Sequence, residues 1–526
     1  MKAKAQPKPS NAKSPLGRGH GKAKSVKSTG SRTKRRLQVV NRHAAGMDVG
    51  ASEIWVAVPP DSVEPGQEDV RCFSTFTEGL DDLVEWLKRC HITTVAMEAT
   101  GVYWIPVYQK VETGGIEAVL VNAKQTKHVT GRKTDLSDCQ WIQELHSYGL
   151  LQASFRPADE FVVWRTLQRQ RRQLVQQSGE HIQHMQKALR QMNVLLDRVV
   201  SDVHGATGLR IIEAILAGER DGDKLLALRD ARCTRATQQE MKQALCGDYR
   251  REHLVVLRQS LEAYRFVQRQ VQELDLEIKQ VMSEIASRAV AELQPEVSTQ
   301  QAVSAEAGTG AGVRQPGATP GRVYVLKPAP AEAKAEAGQP VGKKKKKRGR
   351  GYRNEPQVDF EGELRRIAGV DLTQIPGISV ISAMMILSEI GTDLRRFRSS
   401  RAFCSWLGLS PNVKISGGVV LSSHTAHVVN LVAVALRMAA LTLRSNEGCL
   451  GRFYRRKQAH LGAPKAITAT ARKLACIIYR MLKDRVEYRE PDPNAYDANV
   501  RAHQLAQLQK KAKTLGFIVV PVVKAA

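Results

Sequence analysis

Four acidic residues in this chain have the types and spacing for chemistry: Asp48 in MDVG, Glu98 in AMEATGVYW, and Asp135 with Asp138 in GRKTDLSDCQW. The first two end short apolar runs that read as strands, and the last two are spaced i, i+3 at the start of a stretch that reads as a helix. Strand ends and a helix start can deliver all four side chains to one point. Carboxylates gathered there without a counter-ion repel by roughly 4 kcal/mol per pair at about 4 Å and an effective dielectric near 20, so a shared site requires a cation. Hard oxygen donors suit Mg²⁺ or Mn²⁺, the ions that clamp phosphates during phosphodiester chemistry. Acids at strand ends also cap helices or solvate a surface, and the pattern alone leaves both readings open.

The elements that must position these acids run from residue 43 to 156. AAGMDVGASEIWVAVP reads as two strands joined by a Gly-containing turn, LDDLVEWLKRC as a helix, TTVAMEA as a strand, VYWIPVYQKVETG as a helix, IEAVLVNA as a strand and DLSDCQWIQELHSYG as a closing helix. A hairpin leading into alternating β and α elements, with acids on the first and fourth strands and on the last helix, resembles the order of a ribonuclease-H-like (RuvC-like) domain. Lys124, Lys127, Arg132 and Lys133 lie beside the acids, as grips for a phosphate backbone or as surface charge.

The rest of the chain changes character three times. Residues 157–293 read as long helices, and Leu257, Leu261, Tyr264, Val271, Leu274, Ile278, Val281 and Ile285 follow the three, four and seven steps of a coiled-coil seam. That seam needs a partner, in this chain or in another subunit; Arg169, Arg171 and Arg172 on the same helices either face nucleic acid or are simply solvated. Residues 294–357, with PAPAEAKAEAGQP and the basic run from Lys343 to Arg348, read as a flexible linker. Residues 358–490 form a second, mainly helical domain. In it, LTQIPGISVISAMMILSEIG has a helix-hairpin-helix look, its Pro376 and Gly377 turn offering backbone N–H groups to a phosphate or merely packing a corner. Residues 1–42 form a basic arm and 491–526 a peripheral tail. The fold class is therefore α/β followed by α.

With 80 Lys and Arg against 52 Asp and Glu, the formal net charge of +28 calls for a polyanionic partner rather than a small neutral substrate. The eight scattered cysteines show no CxxC pair, so neither a zinc site nor a disulfide framework is indicated, and a reducing cytoplasm is the expected home. The apolar stretch near Val428 to Leu443 contains Arg437 and is too short for a bilayer, so no membrane is expected.

Taken together, the four acids, VNAKQTKHVTGRKTDLSDCQWIQELHSYGLL, ALRQMNVLLDRVVSDVHGATGLRIIEAILAGERD, and IPGISVISAMMILSEIG followed by LGLSPNVKISGG resemble the DEDD-type transposases of the IS-one-ten insertion-sequence family, understood as bridge-RNA-guided DNA recombinases. The resemblance spans about Ala45 to Asp484, interrupted by the linker. It implies that Asp48, Glu98, Asp135 and Asp138 hold Mg²⁺ or Mn²⁺ while Ser416, matching the serine of the family's SGG-type motif, attacks a DNA phosphate. Gly417 and Gly418, without side chains, would let the nucleic-acid backbone approach closely. It also implies donor and target DNA and a structured noncoding guide RNA as partners. A homo-oligomer from dimer to tetramer follows from it too, with composite sites in which Ser416 of one subunit meets the acids of another, in a prokaryotic cytoplasm and on the nucleoid during reaction. Where many relatives carry a basic turn after the serine, this chain has SSHTAHVVNL, with His424 and His427 in place of strong cations.

The activity so implied is a transposase or site-specific recombinase that cuts and rejoins strands through a phosphoserine link. Two alternatives use the same residues differently. One is a metal-dependent RuvC-like structure-specific nuclease acting by water attack, and the other a non-catalytic nucleic-acid-binding scaffold.

Overall fold

The computed structural model describes residues 38–99, 101–126, 135–292, 356, 358–422, 424–425 and 430–520, with the side chains of 124–125, 135–136 and 290–292 outside the description. The arm up to residue 37, nearly all of the linker, and Lys127, Arg132 and Lys133 lie outside the described residues. The chain divides into two compact units, one ending at Phe155 and one beginning at Arg156.

The first unit is built on a five-stranded sheet in the order β3-β2-β1-β4-β5. β1 (Ala44–Val49), β2 (Glu53–Ala57) and β3 (Val70–Ser74) are antiparallel neighbours, while β4 (Thr94–Glu98) and β5 (Glu117–Val121) join β1 in parallel. β3 is an element the sequence pattern did not reveal, because its alternation is confined to VRCFS, of which only Val70 is buried. α1 (Thr77–Arg89) and α2 (Trp104–Thr113) cover one face. α1 does so because Leu80, Leu83, Val84 and Leu87 form one apolar stripe at helical spacing, packed on Ala45, Met47, Val49, Ile54, Val56, Val95 and Met97. The other face, made by alternate residues of the same strands, receives α4 (Asp135–Ser147) after the single turn α3 (Ala123–Thr126). β1 and β4 are thus buried on both sides, which is why AAGMDV and TVAME read as nearly continuous apolar runs until their acids.

The second unit begins with α5 (Asp159–Gln191), which pairs antiparallel with α10 (Arg251–Glu292). Four short helices, α6 (Leu196–Val199), α7 (Ala206–Leu216), α8 (Gly222–Ala227) and α9 (Gln238–Ala244), connect them. Leu257, Leu261, Tyr264, Val271, Ile278 and Ile285 of the expected seam are buried, and the partner is a helix of the same chain. The seam departs from its simple spacing at two places: Leu274 and Val281 are only half-buried, whereas Asp275 and Met282 beside them are buried. Asp275 faces Arg171, whose Nη2 donates to its Oδ2 at 3.1 Å, and Gln268 Nε2 donates to Ser178 Oγ at 2.8 Å.

The remaining elements are α11 (Glu361–Ala368), α12 (Val380–Ile390), α13 (Ser400–Trp406), the hairpin β6 (Lys414–Ser416) and β7 (Val419–Ser422), α14 (Leu431–Thr442), α15 (Cys449–Leu461), α16 (Ala463–Asp484) and α17 (Pro493–Thr514). The helix-hairpin-helix expectation is met on one side of its turn only. α12 follows Pro376 and Gly377, but α11 stops at Ala368, where Gly369 takes a left-handed φ of 68°, and only a 3-10 turn, Leu372–Gln374, precedes the proline. Past residue 490, where no regular pattern was expected, α17 forms over 22 residues and buries none of them. Among the described residues no helix is long and apolar enough to cross a membrane.

Candidate active site

The sheet register brings the first two acids together. Gly46 pairs with Ala96 and Met47 with Met97 across the parallel β1 and β4, so the next step sets Asp48 beside Glu98 on the same face. That face is the one under α4: a Cβ on Gly46 would stand 2.2 Å from the backbone N of Gln143 and 2.4 Å from the backbone O of Cys139. Only glycine permits so close a seat.

The helix then runs back along the strands in step with them. His146 Nε2 lies 3.0 Å from Thr94 Oγ1 at the start of β4, and Ile142 packs on Ala96 and Val121. Four helical residues rise about 6 Å and two strand residues about 6.6 Å. The turn before Ile142, which carries Asp138, therefore reaches the level of Asp48 and Glu98. Asp135 lies three residues earlier in the first turn of α4; its side chain is outside the described residues.

Local contacts agree with this convergence. Thr126 is buried, and its Oγ1 donates to Glu98 Oε2 at 2.7 Å, orienting that carboxylate from α3. Cys139 is fully buried; burial pushes its thiol up to about 12, and the carboxylates of both Asp48 and Asp138 push the same way. Farther along α4, burial lowers the pKa of His146, while the Glu117 carboxylate raises it. Neither Thr126 nor the Thr94 to His146 anchor was foreseen. Threonine and histidine inside helical or strand patterns carry no mark of a long-range partner.

By donor type the acids fit a hard divalent cation. Among the described residues, no three of His, Cys, Asp and Glu are grouped closely enough to hold an ion as placed, a set that lacks the side chain of Asp135.

Ser416 has a different setting. β6 and β7 pair antiparallel with Ser416 opposite Val419, leaving Gly417 and Gly418 as a two-residue loop with φ of 55° and 80°. Two successive positive φ values are those of a type I′ turn, and this hairpin geometry accounts for both glycines. Among the described residues, a Cβ on either would meet nothing within 4 Å. Ser416 is exposed at the tip, flanked by exposed Ile415, Val419, Val420 and Leu421. At the base, Asn412 N donates to His424 O at 2.9 Å and Pro411 bridges Thr425.

The other expected contacts fare unequally. Pro376 and Gly377 make a turn in which Ile378 N donates to Ile375 O at 3.0 Å, with Gly377 at φ 89°. One side of Gly377 abuts α14, where a Cβ would stand 2.8 Å from Ala439 O, while another side stays exposed. Arg171 is not available to nucleic acid, because it is buried against Asp275. Arg169 is engaged as well, donating from Nε and Nη2 to the Glu389 carboxylate of α12 at 2.7 and 2.9 Å. Arg172 is exposed. Lys124 starts its side chain from α3, beyond which nothing of it is described.

The carboxylate strands and the serine hairpin each fall within a separate similarity to known proteins. A transposase model of the DEDD type named for IS110 matches residues 45–194, which contain Asp48, Glu98, Asp135 and Asp138. A second, describing transposases of the IS116/IS110/IS902 family, matches residues 371–455, which contain Ser416 and the Pro376 turn. No curated protein matches the chain. Two transposase models occurring in this order, one around the acids and one around the serine, identify the chain as a member of the IS110 family of transposases.

Proposed function

We propose that this transposase cuts and rejoins DNA through a serine nucleophile and a divalent-metal carboxylate site. The observation that supports it most is the register pairing Asp48 with Glu98 under a helix whose Asp138 reaches the same level. A RuvC-like reading of the sheet, with the antiparallel strands β3, β2 and β1 continued by the parallel β4 and β5, is consistent with that placement.

A bound Mg²⁺ or Mn²⁺ would supply Lewis-acid stabilisation of charge on the phosphoryl oxygens and lower the pKa of a coordinated hydroxyl. Asp48, Glu98, Asp135 and Asp138 would hold it, with Thr126 fixing the orientation of Glu98. Ser416 Oγ attacks phosphorus in line; the Oγ–P bond forms, the P–O3′ bond breaks, the serine proton is released and the departing 3′ oxygen takes one up. A 3′ hydroxyl of another strand then reverses the exchange. Bond energy is kept in the phosphoserine ester, so resealing needs no ATP. Sequence choice would rest with a structured noncoding RNA pairing to donor and target DNA, and the protein would grip backbones, through Lys124, Lys127, Arg132, Lys133 and the Pro376–Gly377 turn. An oligomer, from dimer to tetramer, would supply the serine and the acids to one phosphate.

The test is a pair of variants, Ser416→Ala and Asp138→Asn, assayed for recombination in cells and for adducts on denaturing gels. Both should lose at least about 10³-fold in recombination while keeping wild-type protein levels. Stalled wild-type reactions should show a protein–DNA adduct that Ser416→Ala abolishes. Product with a free 5′ phosphate and no adduct would instead establish water as the nucleophile.

A further inference from the structure

A groove of about 810 Å³ lies between α15 and α16 at the foot of the serine hairpin. It is lined by Lys457 and Phe453 from α15 and Lys465, Arg472 and Lys473 from α16, with His424 from the hairpin base. Among the described residues that line it there is no acid. Several cations elsewhere in this unit are matched, as Arg169 is to Glu389, Arg190 to Asp197, Arg395 to Asp393 and Arg452 to Asp497. Among the described residues, no carboxylate pairs with any of the four groove cations.

Helical spacing explains the concentration. Lys465, Arg472 and Cys476 at i, i+7 and i+11 share one face of α16, and Phe453 and Lys457 at i, i+4 share one face of α15. Like charges on facing walls repel unless a polyanion enters between them. Lys457 Nζ sits 5.7 Å from the Phe453 ring centroid, a cation beside an aromatic face, which is the combination that grips a backbone while a base stacks.

We infer that this groove binds the phosphodiester backbone of a nucleic-acid strand and leads it toward Ser416. The inference deepens the proposed function and rests on its nucleic-acid substrate. Pro411 at the groove and Ser416 at the tip are five residues apart, roughly 16 Å of extended chain. That is about five steps of duplex rise at 3.4 Å.

Cys476 lines the groove and supplies a reporter. Its Sγ is 3.5 Å from Sγ of the buried Cys404 on α13. Of the two thiols, Cys476 is the one held toward thiolate, by the Cys404 hydrogen bond and then by Arg472, and the thiolate is the form that iodoacetamide alkylates.

The full chain is titrated with fluorescent strands of about 20 nucleotides: single-stranded DNA, single-stranded RNA and duplex DNA. Alkylation at Cys476 is followed by peptide mass spectrometry, with exposed Cys246 as the internal standard. A saturating strand should slow alkylation of Cys476 by about tenfold relative to Cys246. Lys457→Glu combined with Lys465→Glu should weaken binding about tenfold at ~0.15 M salt and reduce the log–log salt slope by about 1.5, since each phosphate contact contributes about 0.7 to 0.9. Protection by only one of the three strands identifies which nucleic acid the groove takes. A bound strand that leaves Cys476 reacting at its free rate overturns the inference and spares the function. Failure of all three strands to bind overturns both. The labelling arm needs no substitution, so misfolding of the double variant would not rescue the idea.

Discussion

The carboxylates and the serine are supported in opposite ways. Asp48 and Glu98 are half-buried at the ends of central strands, capped by a helix seated so tightly that one added methyl group at Gly46 would collide with its backbone. Ser416 stands on a two-stranded ribbon whose strand residues are mostly exposed, with no described residue within 4 Å of a Cβ placed on either turn glycine. A ribbon of two strands is marginally stable in water on its own. Metal ligation tolerates little positional error, whereas a nucleophile that must meet a substrate can be aligned when that substrate arrives. On the proposed mechanism, the contrast is one between a carboxylate site prepared by packing and a serine that would take its place on binding.

Substitutions at the glycines test that contrast most sharply. Gly46→Val should destabilise the first unit by about 3 kcal/mol through overpacking against Gln143 and Cys139, read as a lower denaturation midpoint, and should abolish recombination with it. An unchanged midpoint would mean α4 does not rest where Gly46 places it. Replacing Gly417 and Gly418 together by Ala should strain the hairpin by about 1 kcal/mol per residue, reduce recombination severalfold and leave the global midpoint in place. A fall in the midpoint matching that of Gly46→Val would make the ribbon part of the cooperative core.

The smallest effect is in pH. His146 is buried with its pKa lowered by burial, so the unfolded chain binds its proton more readily than the folded one. Its contribution is full above the ordinary histidine range near 6.5 and is lost as pH falls below it. Melting temperature measured from pH 7.5 down to about 5 should therefore decline, and His146→Gln, which retains a partner for Thr94, should flatten the decline. Equal slopes for both chains would place the titrating group elsewhere.

Legibility in the sequence followed the periodicity of burial. The strands holding Asp48 and Glu98 and the helix holding Asp138 were readable because buried faces repeat every second or every third to fourth residue. β3 and α17 were not, since few or none of their side chains are buried and no face is marked. Arg171 and Asp275 illustrate a second blindness. Each looks like solvated helix charge, and only the pairing of distant segments turns them into a buried bond. The closeness of Cys404 and Cys476 is equally invisible, as the two sulfurs meet across 72 positions of chain. At Ser416, SGG is an ordinary hairpin signature, and its chemical meaning came from family resemblance rather than from spacing.

The α5 and α10 pair is fastened by polar links one after another, Ser178 with Gln268 and then Arg171 with Asp275. Sliding one helix past the other by a turn would strand a guanidinium and a carboxylate in an apolar seam, at a penalty of several kcal/mol. The pair is consequently a strut of fixed length, roughly 50 Å for the 33 residues of α5, and the elements of the second unit that pack at its two ends are kept at that spacing.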